Sequence, residues 1–221
     1  MLTGSNYNDD EKRIVGGRNG YGAKLANVFS NKFIVECGDS ENKKKFKMVW
    51  KDNMKVHDEG EITPYSGKDF VTVTFYPCFK LFNMKNGLDD DIFALMVKRV
   101  YDMAGILPKV KVTINGRDID IKSFSEYVDM YFDQNSLPQK IFDKEVNSQR
   151  WEVIVSITDG EFKQVSFVNG VCTSKGGTHV NYLLDQIVDK VQDKIKKREK
   201  DLDIKPFQIK AHIWIFVNCL V

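Results

Sequence analysis

The sequence is poor in cysteine, histidine and proline, and it has no long apolar run. Its 221 residues include 4 cysteines, 3 histidines and 5 prolines. The cysteines and histidines lie far apart, without the spacing of metal ligands, and no metal site is predicted. They are Cys37, Cys78, Cys172, Cys219, His57, His179 and His212. Four scattered cysteines in apolar segments predict reduced thiols in an intracellular protein.

Two further absences limit the classes of partner. No apolar stretch is long enough to span a membrane and no secretory signal follows Met1, so we expect no membrane partner. The formal net charge is only +2, so overall charge predicts no binding of nucleic acid, and such a site would have to be a local patch. With 42% hydrophobic and 29% charged residues, the chain is typical of a soluble globular protein of one or two domains.

The most unusual stretch is residues 16–25, which contain four glycines and two cations and run into a short apolar helical pattern. Glycines allow positive φ and close approach of the backbone to a ligand. A helix that begins just behind them directs unpaired N–H groups and its positive dipole end into the loop. This combination suits a polyphosphate.

Two familiar phosphate loops do not match this stretch. A P-loop requires Lys followed by Ser or Thr, whereas Lys24 is followed by Leu25. The dinucleotide fingerprint requires G-x-G-x-x-G after a strand, whereas Gly17, Gly20 and Gly22 have the reverse spacing and follow polar residues. A flexible turn before a helix remains the alternative.

Hydrophobic periodicity predicts the elements of both halves. Strands are predicted over 32–37, 45–50, 70–76, 110–114, 118–121, 151–157, 163–168 and 209–221. One helix is predicted over 89–103 and is closed by Gly105, and another over 123–132 starts at a capping box. A long helix is predicted from an N-cap at Thr178 to the basic run at 196–200. Asn115-Gly116 predicts a hairpin turn, and 133–149 a loop. Residues 1–15 show no regular pattern and are interpreted as either a disordered terminus or a flap over the glycine loop. The two ends of the sequence suggest a fragment of a larger protein.

The glycine stretch also belongs to an ordered series of motifs. Gly17 to Leu25 resembles the nucleotide-binding loop of eukaryotic type IIA DNA topoisomerases, and the other motifs recur in that family in the same order. They are Leu2 to Tyr7 with Asp9 to Lys12, Val128 to Tyr131, Arg150 to Val153, Ser166 to Asn169, Thr173 to Gly177, and Trp214 to Asn218.

The resemblance implies an α+β fold in two parts. Residues 1–120 would be the later part of a GHKL (Bergerat) ATP-binding domain, with lid and phosphate loop, and 121–221 most of a transducer like domain 2 of ribosomal protein S5. The family implies an ATP-hydrolysing, homodimeric gate that closes around double-stranded DNA without reading its sequence, in the nucleus. The alternative is a non-catalytic interaction module that keeps the fold and never meets ATP.

The resemblance also assigns residues. Nucleotide contacts would come from Ser5, Asn6, Gly17, Arg18, Asn19, Gly20, Tyr21, Gly22, Ala23 and Lys24, with Lys24 neutralising phosphate charge. Gly4 departs from the family, which usually has Ser there. The family's catalytic glutamate, Mg²⁺-binding asparagine and adenine-reading aspartate match positions before Met1, and its glutamine-threonine-lysine loop matches positions after Val221. We therefore expect ATP and Mg²⁺ as cofactors but no catalytic residue, metal ligand or ATP hydrolysis in this chain alone.

Two motifs have both a functional and a structural interpretation. Lys196, Lys197 and Arg198 match a basic run that lines the DNA cavity in the family, but cations also stabilise a helix C-terminus. Phosphate contacts there would be independent of sequence and sensitive to salt. Residues 173–177 would bind phosphate or, as we favour, form the turn before the long helix.

Overall fold

The computed structural model describes residues 6–8, 10, 14–17, 19–133, 140–142 and 150–221. Internal contacts divide the chain into two compact units. The first contains the described residues up to 10 and those from Gly17 to Phe93, and the second contains residues 14–16 and Ala94 to Val221. No helix in these ranges is both long and apolar enough to cross a membrane.

The first unit is a helix followed by an antiparallel sheet. Its elements are α1 (Tyr21–Val28), β1 (Ser30–Asp39), β2 (Lys44–Lys51), β3 (Val56–His57), β4 (Glu61–Pro64), β5 (Phe70–Pro77) and a 3-10 turn (Phe79–Phe82). The sheet order is β3-β2-β1-β5, with β4 also paired to β2. The strands predicted from alternation are therefore confirmed, and β3 and β4 are two short strands that the sequence pattern did not reveal.

Strand register separates the two faces of this sheet. Phe33 lies opposite both Trp50 and Phe75, and Val35 lies opposite Val73, so apolar side chains share one face. Phe33 and Trp50 are buried, whereas Val73 and Phe75 are 46% and 44% exposed. The apolar side of β5 is thus largely uncovered by the described residues, although its alternation predicted half-burial.

Helix α2 (Asp90–Ile106) begins in the first unit and ends in the second. Asp90 and Asp91 lie in its first turn, where carboxylates favour the helix dipole. The predicted end at Gly105 is wrong because Gly105 lies inside the helix. The predicted apolar stripe is core only in part, since Leu95 and Met96 are 51% and 45% exposed.

The second unit continues from α2 with a hairpin and a mixed sheet. Its elements are β6 (Thr113–Ile114), β7 (Arg117–Asp118), α3 (Phe124–Asp129), β8 (Ile141–Phe142), β9 (Trp151–Ile157), β10 (Lys163–Val168), β11 (Val171–Cys172), α4 (Thr178–Arg198), α5 (Pro206–Lys210) and β12 (Ile213–Cys219). The sheet order is β11-β10-β12-β9-β8. Strand β12 runs parallel to β10 and antiparallel to β9.

Helices pack on both faces of this second sheet. Alternate residues of β12 face opposite ways, so Ile215 joins Val180, Leu184 and Val188 of α4, while Phe216 lies in a separate cluster with α3. Burial on both faces explains the nearly continuous apolar run of β12. This layered α+β arrangement agrees with the fold predicted for the chain.

Several local predictions are confirmed and others need correction. Asn115 and Gly116 adopt φ of 50° and 75° in the hairpin turn, as predicted, and β9 and β10 have their predicted bounds. The predicted N-cap is wrong, because Gly177 occupies that position and Thr178 is the first residue of α4. The helix from Ser123 ends at Asp129 rather than residue 132. The last predicted strand starts later, since Pro206 opens α5 and its helix includes Ile209.

The cysteines are free, as predicted, but only Cys219 is buried, and Cys37, Cys78 and Cys172 are half-buried. Burial raises the pKa of the Cys219 thiol and so keeps it protonated. Of the predicted loop over 133–149, only residues 133 and 140–142 are described, and Ile141–Phe142 form β8.

Candidate nucleotide-phosphate site

The glycine stretch leads directly into α1. Gly20 is the N-cap residue of this helix and adopts a left-handed conformation with φ of 63°. A glycine at the N-cap offers no side chain to cap the helix, and the first turn contains no acidic residue. The amide end of α1 therefore has a positive dipole without an internal carboxylate, which favours an anion.

The glycines differ in why they are needed. Gly17 and Gly20 have φ of 73° and 63°, a region that other residues rarely adopt. Gly22 has no positive φ, and a Cβ atom added there would meet nothing within 4 Å. Among the described residues, neither backbone conformation nor packing therefore explains glycine at position 22. Open space beside helix amides fits the close approach of a phosphate group.

The predicted contact residues fall into two groups. The structure places Asn19, Gly20, Tyr21, Gly22, Ala23 and Lys24 consecutively at the start of α1. The half-buried Asn6 donates from Nδ2 to the carbonyl of Gly17 at 3.1 Å, which ties the preceding segment to the loop. Ser5 and Arg18 lie outside the described residues.

Polar side chains hold the far end of α1 in place. The hydroxyl of Ser30 donates to the carbonyl of Ala26 at 2.6 Å, and Asn53 Nδ2 donates to the carbonyl of Val28 at 2.9 Å. Both satisfy carbonyls that the helix end leaves without a partner. Asn27 is buried, and its side-chain N and O have no hydrogen-bond partner among the described residues. The capping role of Asn53 was not predicted, because it depends on a residue well removed along the chain.

The described residues fit phosphate better than metal. Lys24, the fourth residue of α1, is half-buried and supplies a cation in the first turn of the helix. Within the described ranges, no group of three or more His, Cys, Asp or Glu residues could hold a metal ion. The arrangement can therefore bind and neutralise phosphate oxygens, and any Mg²⁺ would need ligands from elsewhere.

Gly16, just before the loop, belongs to the second unit. Its N–H donates to the carbonyl of Asn169 at 2.8 Å. A Cβ atom at position 16 would lie 2.4 Å from Cγ2 of Val171, so only glycine allows this approach. Sequence reasoning missed this contact, and the doubled glycine at 16 and 17 was its only signal.

The basic run lies in the last turn of α4, as predicted. Lys196, Lys197 and Arg198 are all exposed. Successive helix residues are rotated by about 100°, so the three side chains spread around the helix instead of forming one face. Their position suits the negative end of the helix dipole and leaves them available to phosphates on more than one side.

Residues 173–177 form the turn before α4. The amide of Gly176 donates to the carbonyl of Thr173 at 2.8 Å. Gln164 Nε2 donates to the carbonyls of Thr173 and Ser174, at 3.2 and 2.8 Å. These bonds confirm the turn that we favoured for this motif.

Comparison with known proteins shows similarity over the whole chain, beyond these local features. The sequence is 49% identical to human DNA topoisomerase 2-alpha over 226 aligned residues. It is 48% identical to the probable DNA topoisomerase 2 of Dictyostelium discoideum over 224 aligned residues. Each alignment covers 100% of this chain but only 15% of the relative.

Solved structures show the same relationship. The ATPase region of Saccharomyces cerevisiae topoisomerase II matches with a TM-score of 0.90 and 43% identity, covering 100% of this chain and 57% of that one. The ATPase and transducer domains of the Balamuthia mandrillaris enzyme match with a TM-score of 0.91 and 38% identity, covering 100% and 56%. These likenesses confirm the predicted fold.

A family model described as DNA gyrase B matches residues 123–221. Together, the full coverage of this chain, the sequence identity and the agreement of the backbone confirm the resemblance first indicated by the motifs. The chain belongs to the eukaryotic type IIA DNA topoisomerase family and corresponds to part of its ATPase region.

Proposed function

We propose that this chain is part of the ATP-operated gate of a type II DNA topoisomerase, an ATP-hydrolysing enzyme as the intact protein. The observation that carries the proposal is the amide end of α1, which follows Gly17 and Gly20 and includes Gly22, in a chain similar throughout to ATPase regions. This similarity favours the gate over a non-catalytic interaction module.

In this proposal the chain's own residues bind and orient the nucleotide. Backbone amides from Asn19 to Ala23 hold phosphate oxygens, Lys24 neutralises their charge, and Asn6 fixes the loop through Gly17. Ser5 and Arg18 join them as family-implied contacts. When bound, ATP supplies the phosphate anions, and the Mg²⁺ ligands and catalytic base lie outside this chain.

The remaining proposals concern organisation and partners. We assign residues 1–120 to the partial GHKL domain and 121–221 to the transducer. The gyrase B match over 123–221 supports this division, whereas internal contacts group residues 94–120 with the second unit. The partners are a second copy of the enzyme and double-stranded DNA, bound through phosphates without sequence preference. Lys196, Lys197 and Arg198 provide DNA contacts, and the site of action is the nucleus.

Nucleotide binding by the full-length protein tests the central assignment. We expect Lys24→Ala to weaken affinity for a fluorescent non-hydrolysable ATP analogue about tenfold or more, because the variant loses the cation that neutralises phosphate charge. A tenfold loss corresponds to about 1.4 kcal/mol of binding free energy. Gly22→Ala should weaken it similarly, because the methyl group enters space left for phosphate, while thermal stability stays unchanged. Lys44→Ala, at an exposed cation of the same unit, is the matched control. Unchanged affinity in both loop variants would refute the assignment.

A further inference from the structure

Asn169 lies at the turn between β10 and β11. Asn169 and Gly170 adopt φ of 51° and 79°, the left-handed pair typical of a two-residue hairpin turn. Asparagine is among the few residues with side chains that tolerate this region. Backbone conformation therefore restricts this position largely to Asn, Asp or Gly.

Both backbone groups of Asn169 bond to other parts of the second unit. Its N–H donates to the carbonyl of Cys219 at 2.9 Å, which joins the turn to the end of β12. Its carbonyl accepts from the N–H of Gly16 at 2.8 Å, which joins the turn to the segment before the glycine loop. One residue thus connects two segments that are distant in sequence.

The side chain of Asn169 adds a paired contact to the end of the chain. Its Nδ2 donates to the carbonyl of Val221 at 3.1 Å, and its Oδ1 accepts from the N–H of Val221 at 2.9 Å. This pairing needs a donor and an acceptor on the same short side chain. Aspartate lacks the donor and glycine lacks both groups, so only asparagine satisfies the turn and the pairing together.

The link to the glycine loop is direct along the chain. Gly16 is held against the β10–β11 turn, where a Cβ atom would lie 2.4 Å from Val171 Cγ2 and 3.1 Å from the carbonyl oxygen of Asn169. The next residue, Gly17, begins the phosphate loop and has φ of 73°. The anchor therefore fixes the point at which the chain leaves the second unit.

We propose that Asn169 is a positioning residue that couples phosphate binding at the glycine loop to the β10–β11 turn and the end of β12. Phosphate that orders the loop would tighten the Gly16–Asn169 bond and, through the same residue, the pairing with Val221. This inference rests on the proposed function, because it presumes that the loop binds the phosphates of a nucleotide.

Hydrogen exchange and steady-state kinetics of the full-length protein test this coupling. In the wild type, the non-hydrolysable analogue AMP-PNP should slow amide exchange in residues 17–24 and also at Gly16 and Val221. In Asn169→Gly, which keeps the turn conformation and removes the whole side chain, loop protection should persist while nucleotide-dependent protection at Val221 is lost. The KM for ATP should change less than threefold, while kcat should fall at least tenfold.

A matched control separates coupling from turn stability. Asn115→Gly makes the same substitution in the β6–β7 turn, where φ is 50°, and should leave the exchange pattern and kcat unchanged. Asn169→Asp retains the acceptor for the Val221 N–H but places a second acceptor against its carbonyl, so it should lose coupling as Asn169→Gly does. It provides a second test if the glycine variant is poorly folded.

The outcomes distinguish this inference from the proposed function. Wild-type protection at Val221 and wild-type kcat in both Asn169 variants would overturn the coupling role, even if Lys24→Ala abolishes nucleotide binding. Unchanged nucleotide binding in Lys24→Ala and Gly22→Ala would instead overturn the phosphate site. An equal loss of exchange protection with and without AMP-PNP would show that Asn169 only stabilises the fold and would also overturn the coupling.

Discussion

The hydroxyl of Tyr127 in α3 donates a hydrogen bond to Oδ1 of Asp102 in α2 at 2.6 Å. Asp102 has no exposed surface, and Lys98 and Arg99 also bond to its carboxylate, at 2.7 and 3.1 Å. Burial and the bond to Asp102 raise the pKa of Tyr127, so its hydroxyl remains a donor. A buried carboxylate with three donors is a satisfied polar group that fixes α2 against α3.

Removal of that hydroxyl tests the importance of the cluster. We expect Tyr127→Phe to lower the free energy of unfolding by about 2 kcal/mol, because a buried carboxylate loses a donor. Urea denaturation would measure the change. Tyr182→Phe, at a tyrosine that is 65% exposed, is the control and should change stability by less than about 0.5 kcal/mol. Equal stability of the two variants would contradict a structural role for the Tyr127–Asp102 bond.

The close approach of α2 and α3 predicts an unusual effect of alanine. In an exposed helix, Gly→Ala usually stabilises by about 1 kcal/mol. At Gly105 a Cβ atom would lie 2.4 Å from Cγ of Tyr127, so we expect Gly105→Ala to destabilise by about 1–3 kcal/mol. Ala94→Gly, at an exposed position of the same helix, measures the ordinary propensity effect. A stabilised Gly105→Ala variant would refute the packing constraint.

The half-buried position of His179 should make the stability of the fold depend on pH. Burial lowers the pKa of His179, whose Nε2 lies 3.1 Å from the hydroxyl oxygen of Thr173. Above the unfolded pKa of about 6.5 both states are neutral and this residue adds no pH dependence. As the pH falls from about 6.5 towards the lowered folded pKa, the unfolded state takes up a proton that the folded state does not, so stability is lost until the folded pKa is reached. His179→Gln should therefore lose less stability than the wild type between pH 7.5 and 5, as measured by urea denaturation, and an unchanged pH slope would exclude this contribution.

The basic end of α4 predicts how salt affects DNA binding. If Lys196, Lys197 and Arg198 bind phosphates, replacing all three with alanine should weaken binding uniformly across DNA sequences. The slope of log K against log salt should become shallower by about 0.9 for each phosphate that is no longer neutralised. Lys43, Lys44 and Lys55 are exposed cations of the first unit, and their alanine triple variant is the control. An unchanged salt slope in the α4 variant would assign its cations to the helix dipole alone.

Agreement between sequence and structure is best where the signal is local. The bounds of β9 and β10 and the Asn115-Gly116 turn follow from patterns within a few residues. The helix at the glycine stretch was also predicted from such a pattern, but it begins at Tyr21, before the last glycine, and not behind it. Such patterns report backbone preference and side-chain periodicity, which the chain carries wherever it folds. The consecutive placement of Asn19 to Lys24 at the helix start was predictable for the same reason.

The errors occur where a distant residue decides the outcome. Gly105 was predicted to close α2, a common role for glycine, but α2 extends to Ile106, and the Tyr127 ring occupies the space that a Cβ at position 105 would need. The alternation of β5 predicted half-burial, yet Val73 is 46% exposed, because burial depends on what packs against a strand. Neither result follows from the local sequence.

By itself, the sequence determined most of the longer elements, the family and the glycine loop, since these depend on residue type and spacing along the chain. Only the tertiary structure showed that Asn169 binds both Gly16 and Val221, and that Gly16 must be glycine to fit beside Val171. These contacts join residues far apart in sequence, and no local preference specifies which distant backbone a side chain will meet. The glycine loop is thus a local feature, and its anchor is a product of the fold.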